Sequence, residues 1–461
     1  MKKKSLFYLL MLISPIINIF LLNGMAILVW IVFVPFFLNI LLFYKDKKKI
    51  ILHGAFFSLI TLLSGFRWIF DYKVHLFFLG MALFVAFFVI FSLIFSYVYS
   101  WIMKLDKKVK NSTIKVISNF GLSFLAPVLW GLLLLLFPVF GIGGSYFFEY
   151  GLFVFNAAWL SATTGLFGIT VLVMLFNSVL TLIIKKVYFE RKHQQKKKQL
   201  ISLIIILFFI FFLLNSNSLF VNKGFESQTE ITVAAIQPNF DQGWNWRREN
   251  AEGIVLETDL NLTKQAVEQG AKIVVWPEFA LPIDIMVFRK PAFETIKQFA
   301  KDNQVNLIIG TPIDRFEEKY LDAALYINSE GKYLGYYASG FPGFFTGNVI
   351  PEHKTETFSF YIAEKEIKVG TIICYEEFYD LTAREMKNAD ADLLVALVNN
   401  HEVRGGIWQA SLYSKHRATE NSLPLVRSAN TGISQIIDKD GKVLDKLSKS
   451  QAGFVIKKIL I

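Results

Sequence analysis

The sequence predicts two joined units of different solvent preference: a multi-span α-helical membrane domain over residues 1–222 and an α/β domain over residues 223–461. Three observations predict it. Long apolar runs recur through the first half, and short β-branched runs alternate with helical ones through the second. Charge divides at the same place: residues 1–222 hold 21 Lys/Arg against 5 Asp/Glu, and residues 223–461 hold 27 against 32, so the halves are +16 and −5 within a net charge of +11. With 54% hydrophobic and only 18% charged residues, the chain is more apolar than a typical soluble protein. The basic half is mostly apolar runs and the acidic half has no basic stripe, which excludes nucleic-acid binding. The single cysteine, Cys374, excludes an internal disulfide framework and any multi-thiolate metal site.

The apolar runs lie at about residues 5–22, 25–44, 50–69, 76–100, 116–139, 156–184 and 200–221. Each is near or above the roughly 18–20 residues that cross about 30 Å of hydrocarbon as a helix. Lys2, Lys3 and Lys4 before the first run are also what a signal peptide shows. Six further runs follow without a small-residue cleavage pattern, so the run reads as a retained span. With the N-terminus in the cytoplasm, inside segments hold 19 Lys/Arg (residues 2–4, 45–49, 104–115 and 185–198) and the outside loops between spans hold two, Arg67 and Lys73. That asymmetry predicts a cytoplasmic N-terminus and, after seven spans, an extracytoplasmic second domain. Asn119, Asn156 and Ser178 are expected to make interhelical hydrogen bonds. No chain of intramembrane carboxylates of the kind a proton-coupled transporter needs is present in the spans.

From about residue 230 the segments ITVAAIQ, AKIVVWPE, VNLIIGTP, AALYINSEGKYLGYYA, IKVGTIICYEE and DLLVALVNN read as strands, and 250–270, 291–303, 378–389 and 406–422 as helices. Residues 329–332 (SEGK) form a hairpin turn. The final GFVIKKILI is short and holds Lys457 and Lys458, so it reads as a closing strand. Glu278 closes one strand and Cys374 another, followed by Tyr375, Glu376 and Glu377. In α/β folds strand C-termini open into ligand crevices. A cysteine there, at a turn into a helix, is either a nucleophile whose thiolate the helix N-terminus favours or a small buried hydrophobe; spacing alone leaves both readings open. No metal, nucleotide or flavin signature is visible, so no cofactor is expected.

Together VVWPEFALP, VGTIICYEEFYD, ADLLVALVNN, WQASLYSKHRATENSLPLVRSANTGIS and IIDKDGKVL resemble the nitrilase (carbon-nitrogen hydrolase) superfamily, and with membrane spans in front the arrangement resembles the apolipoprotein N-acyltransferase family. The resemblance implies an α-β-β-α sandwich and a Glu-Lys-Cys triad, with Cys374 as nucleophile, Glu278 as general base and Glu376 as a supporting glutamate. It implies an acyl chain taken from a phospholipid onto the cysteine as a thioester, then passed to the N-terminal amine of a diacylglyceryl-cysteine lipoprotein. Phospholipid, lipoprotein and membrane are the partners so implied, and the bacterial cytoplasmic membrane the location.

The chain also departs from the family pattern. Aligned on Phe344 and Phe345, Ala338 stands where the family has its lysine, Gly340 where a histidine is common and Thr346 where a glutamate is usual. Asp322 stands where an asparagine is common, and NNHEVRGG replaces an asparagine-aspartate-aromatic-glycine run. Lys332, in the hairpin turn, and Lys354, beyond the following loop, do not match the motif. Three readings stay open: Lys354 reaches the site, backbone donors run an altered acyl transfer, or the chain is a catalytically impaired, membrane-anchored module that binds lipids or lipoproteins. An extracytoplasmic amidase or nitrilase is a further reading. The loop 340–350, with Phe341, Phe344 and Phe345, reads as a lid over the membrane interface.

Overall fold

The computed structural model describes residues 3–65, 74–108, 112–135, 149–154, 158–189, 195–215, 229–240, 251–315, 318–343, 347–400 and 406–461. Arg67, Lys73, Asn156, Phe344, Phe345 and Thr346 lie outside them, as do residues 401–405 of the NNHEVRGG run and the side chain of Asn119. The chain forms two compact units, Met1–Val221 and Asn222–Ile461.

In the first unit a helical segment lies over each apolar run: α1 (Lys3–Leu22), a 3-10 turn (Ala26–Trp30) leading into α2 (Val34–Phe43), α3 (Lys47–Gly65), α4 (Val74–Lys108), α5 (Ser112–Leu134), α6 (Ala158–Ile184) and α7 (Gln195–Asn215). Five described stretches are long and apolar enough to cross a membrane, Lys3–Leu22, Ala26–Phe43, Lys47–Gly65, Phe77–Leu105 and Leu160–Phe189; Gly121–Leu134 and Leu200–Asn215 are shorter apolar helices. The break between the 3-10 turn and α2 leaves backbone groups that hydrocarbon cannot satisfy. Asn177 of α6 supplies the partners: its Oδ1 accepts from Phe33 N (3.0 Å) and its Nδ2 donates to Val29 O (2.9 Å). Asn18 of α1 donates to Thr61 of α3 (3.0 Å), and Asn39 of α2 to the Phe7 carbonyl (3.2 Å). Thr181 of α6 adds a longer bond to Val34 O (3.5 Å), and Asn18, Asn39, Asn177 and Thr181 are not among the residues the sequence reading singled out. Buried rings of Phe33, Phe36, Phe57, Phe88 and Trp130 fill the space between the helices.

The second unit has twelve strands among its described residues. In chain order these and their helices are β1 (Glu230–Gln237), α8 (Ala251–Glu268), β2 (Ile273–Val275), α9 (Lys290–Asp302), β3 (Asn306–Asp314), β4 (Tyr320–Ile327), β5 (Tyr333–Ala338), β6 (Phe358–Ile362), β7 (Lys365–Ile373), α10 (Asp380–Asn388), β8 (Leu393–Val398), α11 (Ile407–Asn421), β9 (Leu425–Ala429), β10 (Ser434–Ile437), β11 (Val443–Leu447) and β12 (Gly453–Leu460). Two six-stranded sheets result, in the orders β12-β1-β2-β3-β4-β5 and β11-β10-β9-β8-β7-β6.

Period-two alternation sends each strand of the first sheet to two cores. Val233, Ala235, Ile273, Val275, Ala324 and Tyr326 join the apolar cluster shared with the second sheet, while Ala234, Ile236, Val274, Ala323 and Leu325 join the outer cluster with Ala266 of α8 and Ile296 of α9. Tyr326 stacks on Phe358 of the opposing sheet (centroids 4.1 Å apart) and its hydroxyl meets Thr371 of β7. With α10 and α11 covering the second sheet through Ala383, Met386 and Ala418, the layering is the α-β-β-α sandwich. The closing strand pairs antiparallel with β1 from Glu230↔Leu460 to Gln237↔Gly453. The structure adds β6 and β9–β11, which the sequence reading did not name as strands.

Candidate active site

The parallel strands β2 and β7 each end at a residue that carries chemistry. After β2 the chain turns through Trp276–Pro277 into Glu278, a buried carboxylate with 6% of its surface exposed. Gly310 of β3 makes room for that turn: a Cβ there would lie 2.1 Å from Pro277 O and 2.7 Å from Glu278 Cα, so only glycine admits the two backbones at this distance. Trp276 is anchored behind it, its indole Nε1 donating to Thr263 of α8 (2.8 Å). Glu278 Oε2 accepts from the backbone N of Asn399, at the end of β8 (2.8 Å).

β7 ends at Cys374, which opens the 3-10 turn Cys374–Phe378 with φ at +48°. A side chain other than glycine in this left-handed region costs of order 1–3 kcal/mol. The turn is held against that cost by two buried glutamates. Glu376 accepts from Tyr337 Oη (3.0 and 3.1 Å), Gly340 N (2.8 Å), Phe341 N (3.3 Å) and Ile373 N (2.9 Å). Glu377 takes a bidentate ion pair from the fully buried Arg427 of β9 (Nε–Oε1 2.8 Å, Nη2–Oε2 3.0 Å) and a bond from Ser414 Oγ of α11. Arg427 also donates to Asn400 Oδ1 (2.9 Å) and Ile433 O (2.7 Å). Asn430 exchanges bonds with the backbone of Phe240 (2.9 and 2.8 Å) and donates to Asn399 Oδ1 (3.1 Å), tightening the β8 end that holds Glu278.

Cys374 is partly exposed as a residue, and its thiol hydrogen-bonds the Glu278 side chain. Burial, then the Glu278 and Asp322 carboxylates, push the thiol well above its ordinary range. Asp322, near the start of β4, hydrogen-bonds Glu278; burial first and the Glu278 charge second raise its carboxyl well above the usual carboxylate range. Burial also raises Glu376, to about 7, against the pull of its four donors. A thiol beside a carboxylate that is held by a backbone N–H suits nucleophilic attack with proton transfer to that carboxylate.

The structure thus gathers Glu278, Cys374 and Glu376, the three site residues expected from sequence, with Asp322. Among the described residues it does not bring a lysine there. Ala338 ends β5 packed in the outer apolar cluster. Lys354 is largely exposed and pairs with Glu352, and Lys332 is exposed in the hairpin turn. Phe341 packs on Tyr379 (5.1 Å) and His353 (4.9 Å) beside the nucleophile turn. Glu377, Arg427, Asn399 and Asn430 were missed as supporting residues. Their signals were present in the doubled glutamate of ICYEE and in the polar run VRSANTG, whose buried arginine needs a carboxylate partner.

Residues 232–460 match the family model described as carbon-nitrogen hydrolase, and this half of the chain is a carbon-nitrogen hydrolase domain. Among more specific relatives, the chain is similar to bacterial proteins named apolipoprotein N-acyltransferase. It is 26% identical over 251 residues to that of Rickettsia bellii (49% of this chain, 48% of the relative) and 28% identical over 241 residues to that of Geobacter metallireducens (47% and 46%). The matches span about half the length of these relatives. Among solved structures, Nit3 of Saccharomyces cerevisiae, a member of the nitrilase superfamily, is 18% identical with a TM-score of 0.42, covering 52% of this chain and 92% of its own.

Proposed function

We propose that the chain is a membrane-bound N-acyltransferase that moves an acyl chain from a phospholipid through a Cys374 thioester to the N-terminal amine of a diacylglyceryl-cysteine lipoprotein. The names of its relatives support the reaction class, and the observation that carries the residue roles is the Cys374 thiol, on a strained turn, hydrogen-bonded to Glu278. In this reading Glu278 takes the thiol proton as sulfur attacks the ester carbonyl. The tetrahedral intermediate collapses, and the glycerol oxygen leaves with that proton as lysophospholipid. The incoming amine then attacks the thioester, gives a proton to Glu278, and the carboxyl returns it to the departing thiolate. Oxyanion stabilisation, the task of the family lysine and worth roughly 3–4 kcal/mol where one such donor is removed, falls to backbone N–H groups at the nucleophile turn. Glu376 supports that turn. The domains divide near residue 222, with the N-terminus cytoplasmic and the catalytic domain outside.

A second reading has one observation in its favour: among the described residues, Glu376 accepts only from a tyrosine and backbone N–H groups, and no lysine or arginine bonds Asp322. On that reading the chain is a membrane-anchored lipid- or lipoprotein-binding module. Intact mass after incubation with phospholipid separates the two. The acyltransferase gives a hydroxylamine-sensitive acyl adduct on the wild type and none on Cys374→Ala; folded, lipid-bound protein without an adduct supports the binding module.

A further inference from the structure

The position that is commonly asparagine in the family is Asp322 here, and the structure puts its carboxyl against the base. Ser339 N donates to the Asp322 carbonyl (2.9 Å), so the two residues face each other where β4 begins and β5 ends. Each carries a buried side-chain oxygen with no hydrogen-bond partner, Asp322 Oδ1 and Ser339 Oγ. The Asp322 side chain hydrogen-bonds Glu278 and also feels the Glu376 charge. Two carboxyls hydrogen-bonded to each other in a buried site share a proton, and removing it to leave two like charges is costly.

We propose that Asp322 is a positioning residue for the thiol site: protonated, it donates a hydrogen bond to Glu278 and leaves Glu278 as the ionised base; deprotonated, it becomes a like charge that holds the Cys374 thiol un-ionised. The groups that bear on this pair are Glu278 from the β2 end, Glu376, Glu377 and Tyr375 from the nucleophile turn, and Tyr337 from β5, whose hydroxyl is committed to Glu376. Glu377 is paired with Arg427. Asp322 is thus the carboxyl against Glu278 whose replacement by a neutral isostere leaves the turn's own bonds intact. The inference rests on Glu278 as base and Cys374 as nucleophile, yet the single cysteine allows it to be read without any acyl donor.

The test is the pH profile of iodoacetamide alkylation of Cys374 in the full-length, detergent-solubilised protein. Asp322→Asn keeps a donor toward Glu278 and removes the charge. Its alkylation midpoint is expected about one pH unit lower than the wild type, with a rate up to about tenfold higher where Asp322 is ionised in the wild type and converging profiles at lower pH, and Asp322→Ser moves it in the same direction. Wild-type protein is itself expected to show two ionisations in the profile, of which the Asn variant loses one. Superimposable profiles for wild type and both variants, or a single ionisation in the wild type where neither variant folds, overturn the proposal. A midpoint shift together with no phospholipid adduct on the wild type removes the acyltransferase reading and leaves the proton-sharing pair standing; an adduct with no shift does the reverse.

Discussion

Asp259 shows what one residue costs in this fold. It lies on α8, fully buried, with neither carboxylate oxygen hydrogen-bonded among the described residues, and burial raises its carboxyl well above the ordinary 3.8. A folded-state value above the unfolded one means that stability is fullest below the unfolded value and is lost as pH rises through the folded one. Asp259→Asn is therefore expected to stabilise the α/β unit at neutral pH by about 1–3 kcal/mol, raising its melting temperature, and to flatten its decline between about pH 4 and neutrality. A variant that melts below wild type at pH 7.5 contradicts this. Glu278 and Cys374 were legible as residues because chemistry at a strand end stands out against an apolar run. Asp259 was not, since an aspartate in an amphipathic helix reads as solvated until packing shows which side it faces.

At the scale of elements, the nucleophile turn is held from three directions. Glu376 ties Cys374–Phe378 to the β5 end and to the 340–341 loop, while Glu377 and Arg427 tie it to β9. Glu376→Gln places an amide N–H₂ where one carboxylate oxygen accepted, leaving a buried donor opposed to Ile373 N or to the Gly340 and Phe341 amides. The expected loss is about 1–3 kcal/mol. The sign with pH is specific: Glu376 is raised from 4.5 to about 7, so its contribution falls as pH rises between those values. The wild type's advantage over the Gln variant, measured by denaturant unfolding, should be largest near pH 4.5 and shrink toward pH 7. Strand existence was legible where β-branched residues run unbroken, as in β1, β3, β7 and β8. Short β9–β11 and the FSFYI of β6 were not, because runs of four or five residues carry too little period-two signal outside their pairing partners.

Over the whole molecule, composition and charge separated the two units before any coordinate did. Hydrocarbon and water impose different alphabets on a chain, and the boundary between them is abrupt near residue 222. What the sequence could not show was how the membrane-type unit satisfies its own irregular backbone. That depends on Asn177 meeting Val29 and Phe33 across about 145 residues of chain, a pairing no local pattern encodes. The departure at Ala338, by contrast, was legible in the sequence, and in the structure Ala338 packs in the outer apolar cluster.

The ladder between β1 and β12 has a consequence for biogenesis. β1 is made first in its unit, yet its outer edge stays open until Gly453–Leu460, more than two hundred residues later, arrives to cover it. During that interval a row of unpaired N–H and C=O groups is a template for any passing strand, and closing so long a loop is slow. Deleting residues 453–461 should therefore yield protein that aggregates, detected by light scattering and loss of a monodisperse elution peak, even though Glu278 and Cys374 remain. The last strand acts as a clasp on synthesis: the unit can finish its first sheet only after almost all of it has emerged, and a ribosome that stalls late leaves the same adhesive edge exposed.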